Sequence, residues 1–65
     1  MSDFQLTSGD VSIEQQIQCV AREIALRERC YPRWVKQGRL KEDQAQRELE
    51  RMRAVLKTLH QVAER

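Results

Sequence analysis

The chain has 65 residues, of which 40% are hydrophobic, 34% charged and only 5% aromatic, with a formal net charge of +2. That is one small domain at most, too short to bury a comfortable core alone and too sparing in aromatic residues, Gly and Pro to suggest a sheet, so long helices are expected. The charge is unevenly spread: residues 1–26 carry −3, residues 27–41 carry +5, and residues 42–65 balance.

Residues 1–11 show no helical period and mix Ser, Thr, Gly and Asp, which reads as a flexible N-terminal segment. Ser12-Ile13-Glu14-Gln15 forms a capping box, with Val11 where a staple residue would sit, so a helix is expected from Ile13. Its apolar residues Ile13, Ile17, Val20, Ile24, Tyr31 and then Trp34 or Val35 follow four-three spacing, and Cys19, Leu26 and Cys30 widen the stripe on one side. Arg27 occupies the step between Ile24 and Tyr31, a break through which its charged head can leave along the aliphatic stem.

Pro32 conflicts with this arm, because a proline inside a helix removes a backbone donor and crowds the carbonyl four residues earlier. Either the helix kinks and continues to about Gln37, or it stops near Cys30 and restarts as a turn. The apolar face carried on by Tyr31, Trp34 and Val35 favours the kink, with Gly38 as the stop and residues 38–41 as the turn.

A second helix is expected over about 42–63. Glu42 and Asp43 suit its first turn, whereas Lys41 is a poor cap. Ala45, Leu49, Met52, Leu56, Leu59 and Ala63 then repeat at heptad-like spacing, with Val55 and Val62 beside them. Glu23 with Arg27 and Asp43 with Arg47 lie four apart in the favourable order and are read as exposed pairs.

The expected fold is therefore all-α, an antiparallel two-helix hairpin. Its apolar stripes are wider than one helix can cover, which implies a homodimer closing into a four-helix bundle over Ile13, Ile17, Val20, Ile24, Tyr31, Leu49, Met52, Leu56 and Leu59. Other supplements to the core fit poorly. Cys19 and Cys30 lie eleven residues apart, about 16 Å along a helix, beyond the reach of one disulfide. One His and no paired Cys/His spacing leave too few ligands for zinc. Free thiols, no signal pattern and no membrane-length apolar run suit a cytoplasmic protein without a membrane partner.

Catalytic chemistry finds no footing. His60 has no Cys, Asp or Ser at a spacing that would make a triad or ligand set, Glu48 and Glu50 fall on different faces, and Cys30 on the apolar stripe reads as an inert thiol. No enzyme activity and no cofactor are expected. The basic elbow is the candidate site: Arg29, Arg33, Lys36, Arg39 and Lys41 with Trp34 form a charged and aromatic mixture suited to an acidic protein surface or a phosphate backbone. Trp34 itself can serve as core or as binding anchor, and its spacing from Tyr31 and Ile24 favours core.

The succession Cys19-Val20, Glu23, Arg27, Tyr31-Pro32, Trp34-Val35, Gly38-Arg39, Ala45, Glu48, Met52 and Ala54-Val55-Leu56 resembles small uncharacterised proteins encoded in phage and prophage genomes. The likeness covers about residues 13–60, and its Tyr-Pro-x-Trp-Val-x-x-Gly motif is the distinctive part. It implies an accessory protein acting in the cytoplasm of an infected bacterial host, on a host or phage protein, and it carries no catalytic residues. Lys41 departs from it where a capping Ser or Thr is usual. Two other readings stand beside it: a small nucleic-acid-binding protein using the elbow, and a purely structural oligomerisation piece.

Overall fold

A computed structural model describes residues 11–65, and the flexible segment expected over residues 1–11 lies outside the described residues apart from Val11. The described residues form two helices, α1 (Ile13–Lys36) and α2 (Glu42–Ala63), and no strand. They pack against each other as a hairpin, 14 Å in its thinnest direction.

Helix α1 begins where its sequence provides for the free amides of the first turn. The Ser12 hydroxyl accepts from the Gln15 amide at 3.1 Å, and the Gln15 side chain accepts from the Ser12 amide at 2.9 Å. The helix passes through Pro32 without a break. A proline in a helix interior costs about 3 kcal/mol. Against that stand Tyr31, which is buried, and Val35, which is half-buried, each beside or beyond the proline. Complete burial of such a side chain is worth roughly 1.5–3 kcal/mol, so continuation offsets the lost hydrogen bond.

The end of α1 is a Schellman closure. The Arg39 amide donates back to the Trp34 carbonyl at 2.9 Å and the Gly38 amide to the Val35 carbonyl at 3.0 Å. This requires a left-handed residue, and Gly38 supplies it at φ 76°. Helix α2 starts with less help: the Lys41 side chain makes no capping bond, and Glu42 and Asp43 in the first turn complement the helix dipole instead.

The core is small. Among the described residues Ile24, Tyr31 and Ala45 are the buried hydrophobic ones, while Ile13, Ile17, Val20, Leu49, Met52, Leu56 and Leu59 are all half-buried. The radius of gyration, 14.6 Å, exceeds the roughly 11 Å of a compact domain of this length. The hairpin therefore leaves most of both apolar stripes only partly covered.

Candidate functional site

The elbow gathers three side chains into one stack. The rings of Tyr31 and Trp34 lie 5.8 Å apart at 41°, and the Arg39 guanidinium sits over the indole, 5.6 Å from its centroid. The backbone explains the last contact, because a Schellman closure folds the residue after the glycine back over the residue five before it, a place usually filled by an apolar pair. Here an arginine lies on a tryptophan. Trp34 is half-buried and is held on the flank of α1 away from the groove between the helices, which Glu28, Tyr31, Pro32, Val35, Glu42, Ala45, Gln46 and Leu49 line.

The bases do not form a single cluster. At 3.6 residues per turn, Arg29, Arg33 and Lys36 fall on the outer edge of α1, turned away from α2, and Arg22 continues the same row one heptad earlier. All four are exposed, and together they span about 21 Å of helix. Arg39 is engaged with Trp34, and Lys41 is exposed at the start of α2. Among the described residues none of these six makes an ion pair. Arg22 lies outside the dense run of bases after residue 27, and its spacing of seven from Arg29 is the sequence signal that joins it to the row.

Arg27 behaves differently from the rest. Its guanidinium meets the Glu23 carboxylate at 2.5 Å, and both side chains are partly covered. The hydrogen bond to Glu23 holds the Arg27 pKa above its ordinary value, with Tyr31 adding to the effect and desolvation opposing it. The pair lines a shallow groove with Leu26, Cys30, Tyr31 and Trp34, so it belongs to a partly apolar flank and not to a solvated face as its spacing suggested.

The hairpin's two broad faces are unlike. On one, Glu28 of α1 and Arg53 of α2 close across the gap between the helices at 2.5 Å. Leu26 and Val55 each lie two residues from a member of that pair, about 200° round their helices, and Val62 lies nine residues from Arg53, half a turn away. Val55 and Val62 therefore turn toward the opposite face, where Trp34 and Cys30 also lie, and are 49% and 45% exposed, while Leu26, 45% exposed and seven residues from Arg33, sits at the outer edge where that face meets the basic row. The separation of 25 residues in the Glu28–Arg53 pair depends on the hairpin register, and no local pattern in the sequence announces it.

Among the described residues no group of three or more His, Cys, Asp or Glu is placed to hold a metal ion, and no helix is long and apolar enough to cross a membrane. No family of known proteins, no curated protein and no solved structure matches the chain.

Proposed function

We propose that the chain is a non-enzymatic interaction module that works as a homodimer, two hairpins forming a four-helix bundle, and that its basic row engages an acidic surface of another protein. The observation that carries this reading is the thin core: three buried hydrophobic residues for two helices of 24 and 22 residues, with Leu49, Met52, Leu56 and Leu59 left half-covered. A second layer supplies the missing burial. The likeness of the Tyr31–Gly38 motif to phage and prophage proteins makes a host or phage protein in the bacterial cytoplasm the proposed target.

Sedimentation equilibrium tests the dimer: twice the 7.7 kDa chain mass is expected, with a melting temperature that rises with protein concentration. A monomer at micromolar concentration with a concentration-independent melt ends this reading. The partner site is tested by Arg33→Glu combined with Lys36→Glu, which removes a captured partner while the fold persists at a cost of roughly 0.3–1 kcal/mol per reversed charge near the helix C-terminus.

One observation favours a second reading. Four exposed bases in a row, Arg22, Arg29, Arg33 and Lys36, also suit a phosphate backbone. Anisotropy titration with a duplex oligonucleotide at low and physiological salt separates the two, since phosphate binding falls steeply with salt. Absence of binding at low salt removes nucleic acid; absence of any ligand in both assays leaves a structural oligomerisation piece.

A further inference from the structure

A dimer of this hairpin has two faces to choose from and two ways to orient its copies. The Glu28–Arg53 face puts charged groups across the gap between the helices, and the groove beneath is rimmed by Glu42 and Gln46. Both faces carry ion pairs, Glu28–Arg53 on this one and Glu23–Arg27 and Glu48–Arg51 on the other, so the cost of desolvating charge does not separate them and the apolar side chains decide. The other face presents exposed Val55 and Val62 beside half-buried Cys30 and Trp34, with exposed Leu26 at its outer edge. Large apolar side chains gathered on one face are what a copy of the same chain can cover.

Resting on the self-association proposed above, we infer that the second copy seats on the Val55/Val62 face with the two elbows at opposite ends, each α1 lying antiparallel along the partner's α1. Charge selects the orientation. Residues 27–41 carry +5, so elbows at the same end would place two such clusters within one bundle width. Opposite ends separate them by about the length of a helix, roughly 35 Å, several times the screening length of about 8 Å at physiological salt. The midpoint of α1 supports the same arrangement. It falls between Ile24 and Ala25, and Glu23 and Arg27 straddle it on the flank that faces this side. An antiparallel copy therefore brings each Glu23 near the partner's Arg27, and each Arg27 near the partner's Glu23.

Two consequences follow from full overlap of the α1 helices. The basic rows Arg22, Arg29, Arg33 and Lys36 of the two copies come to the same side of the bundle and make one continuous basic face, whereas packing α1 on the partner's α2 would send them to opposite edges. The cysteines also become reporters. Cys19 and Cys30 stand equally far from the α1 midpoint and, eleven residues or about three turns apart, share one flank. Each Cys19 is then level with the partner's Cys30. Within one chain the same two thiols are about 16 Å apart, too far for a short linker.

The experiment is thiol cross-linking of the full chain with a short bis-maleimide, read as a doubling of mass on a denaturing gel. The parent protein is expected to cross-link. Cys19→Ser alone and Cys30→Ser alone are expected not to, and linking is expected to return when the two variants are unfolded, mixed and refolded together. Circular dichroism checks that each variant is helical, and Cys30→Ala replaces Cys30→Ser if serine at this half-buried site unfolds the chain. A single variant linking to itself at the parent's yield overturns the orientation, as does a parent that sediments as a dimer and does not link. A parent that sediments as a monomer overturns the self-association beneath it.

Discussion

The guanidinium of Arg39 lies over the indole of Trp34, its central carbon 5.6 Å from the ring centroid, because the chain reverses through Gly38 and returns directly above the last turn of α1. The contact ties the connection to the helix it leaves. Trp34 also meets Tyr31 at 5.8 Å, so the tryptophan is covered on two sides and open on a third.

Truncating that side chain should cost less than removing a fully buried one. Trp34→Ala is expected to destabilise the chain by roughly 2 kcal/mol, below the roughly 3 to 5 kcal/mol of a core aromatic. Arg39→Ala should cost about 0.5–1 kcal/mol, the worth of an exposed cation–π contact. Denaturant titrations measure both. In the parent, acrylamide should quench Trp34 fluorescence to a level between that of free tryptophan and that of a buried one.

Gly38 is required for its dihedral angle and not for its size. A Cβ placed there meets nothing within 4 Å, yet φ is +76°. Gly38→Ala should therefore cost about 1–2 kcal/mol, the penalty of the left-handed region for a residue with a side chain, and Gly38→Asn should cost less because asparagine tolerates that region. Equal melting temperatures for the parent and Gly38→Ala would contradict the observed turn.

The Glu28–Arg53 pair joins the helices, but its side chains are 46% and 53% exposed. Screening limits such a pair, and a double-mutant cycle with Glu28→Gln and Arg53→Gln should give a coupling of roughly 0.2–1 kcal/mol that fades in high salt. A coupling above about 2 kcal/mol would mean that the pair is shielded by something further, such as a second copy on this face.

What could be read from the sequence was what depends on near neighbours. The capping box at Ser12 and Gln15, the stop at Gly38 and the weak cap at Lys41 are each decided within a few residues, and the structure contains all three. Pro32 could be weighed only as alternatives, because the outcome rests on tertiary burial of Tyr31 and Val35 against a local penalty. The Glu28–Arg53 contact and the difference between the two faces depend on helix register and rotation, which heptad spacing constrains only loosely. The basic elbow looked like one patch because its residues are adjacent in the chain. The helix turns them apart, Arg33 and Lys36 to the outer edge and Arg39 onto Trp34.

The face chosen for self-association can be tested with charges placed on each side. Val55 and Gln46 are both exposed in the single hairpin, on opposite flanks of α2. If the hairpin stood alone, a glutamate at either position would change stability within about 0.5 kcal/mol, as surface substitutions do. In a dimer packed on the Val55 face, Val55→Glu puts a carboxylate where an apolar side chain meets the second copy. Neutralising or solvating it in that position costs several kcal/mol, enough to separate the copies. Gln46→Glu, remaining in water, leaves the dimer intact. Sedimentation equilibrium of the two variants should therefore give the single-chain mass for Val55→Glu and twice that mass for Gln46→Glu. The reverse result would place the second copy on the Glu28–Arg53 face, and two unchanged dimers would place the contact on neither.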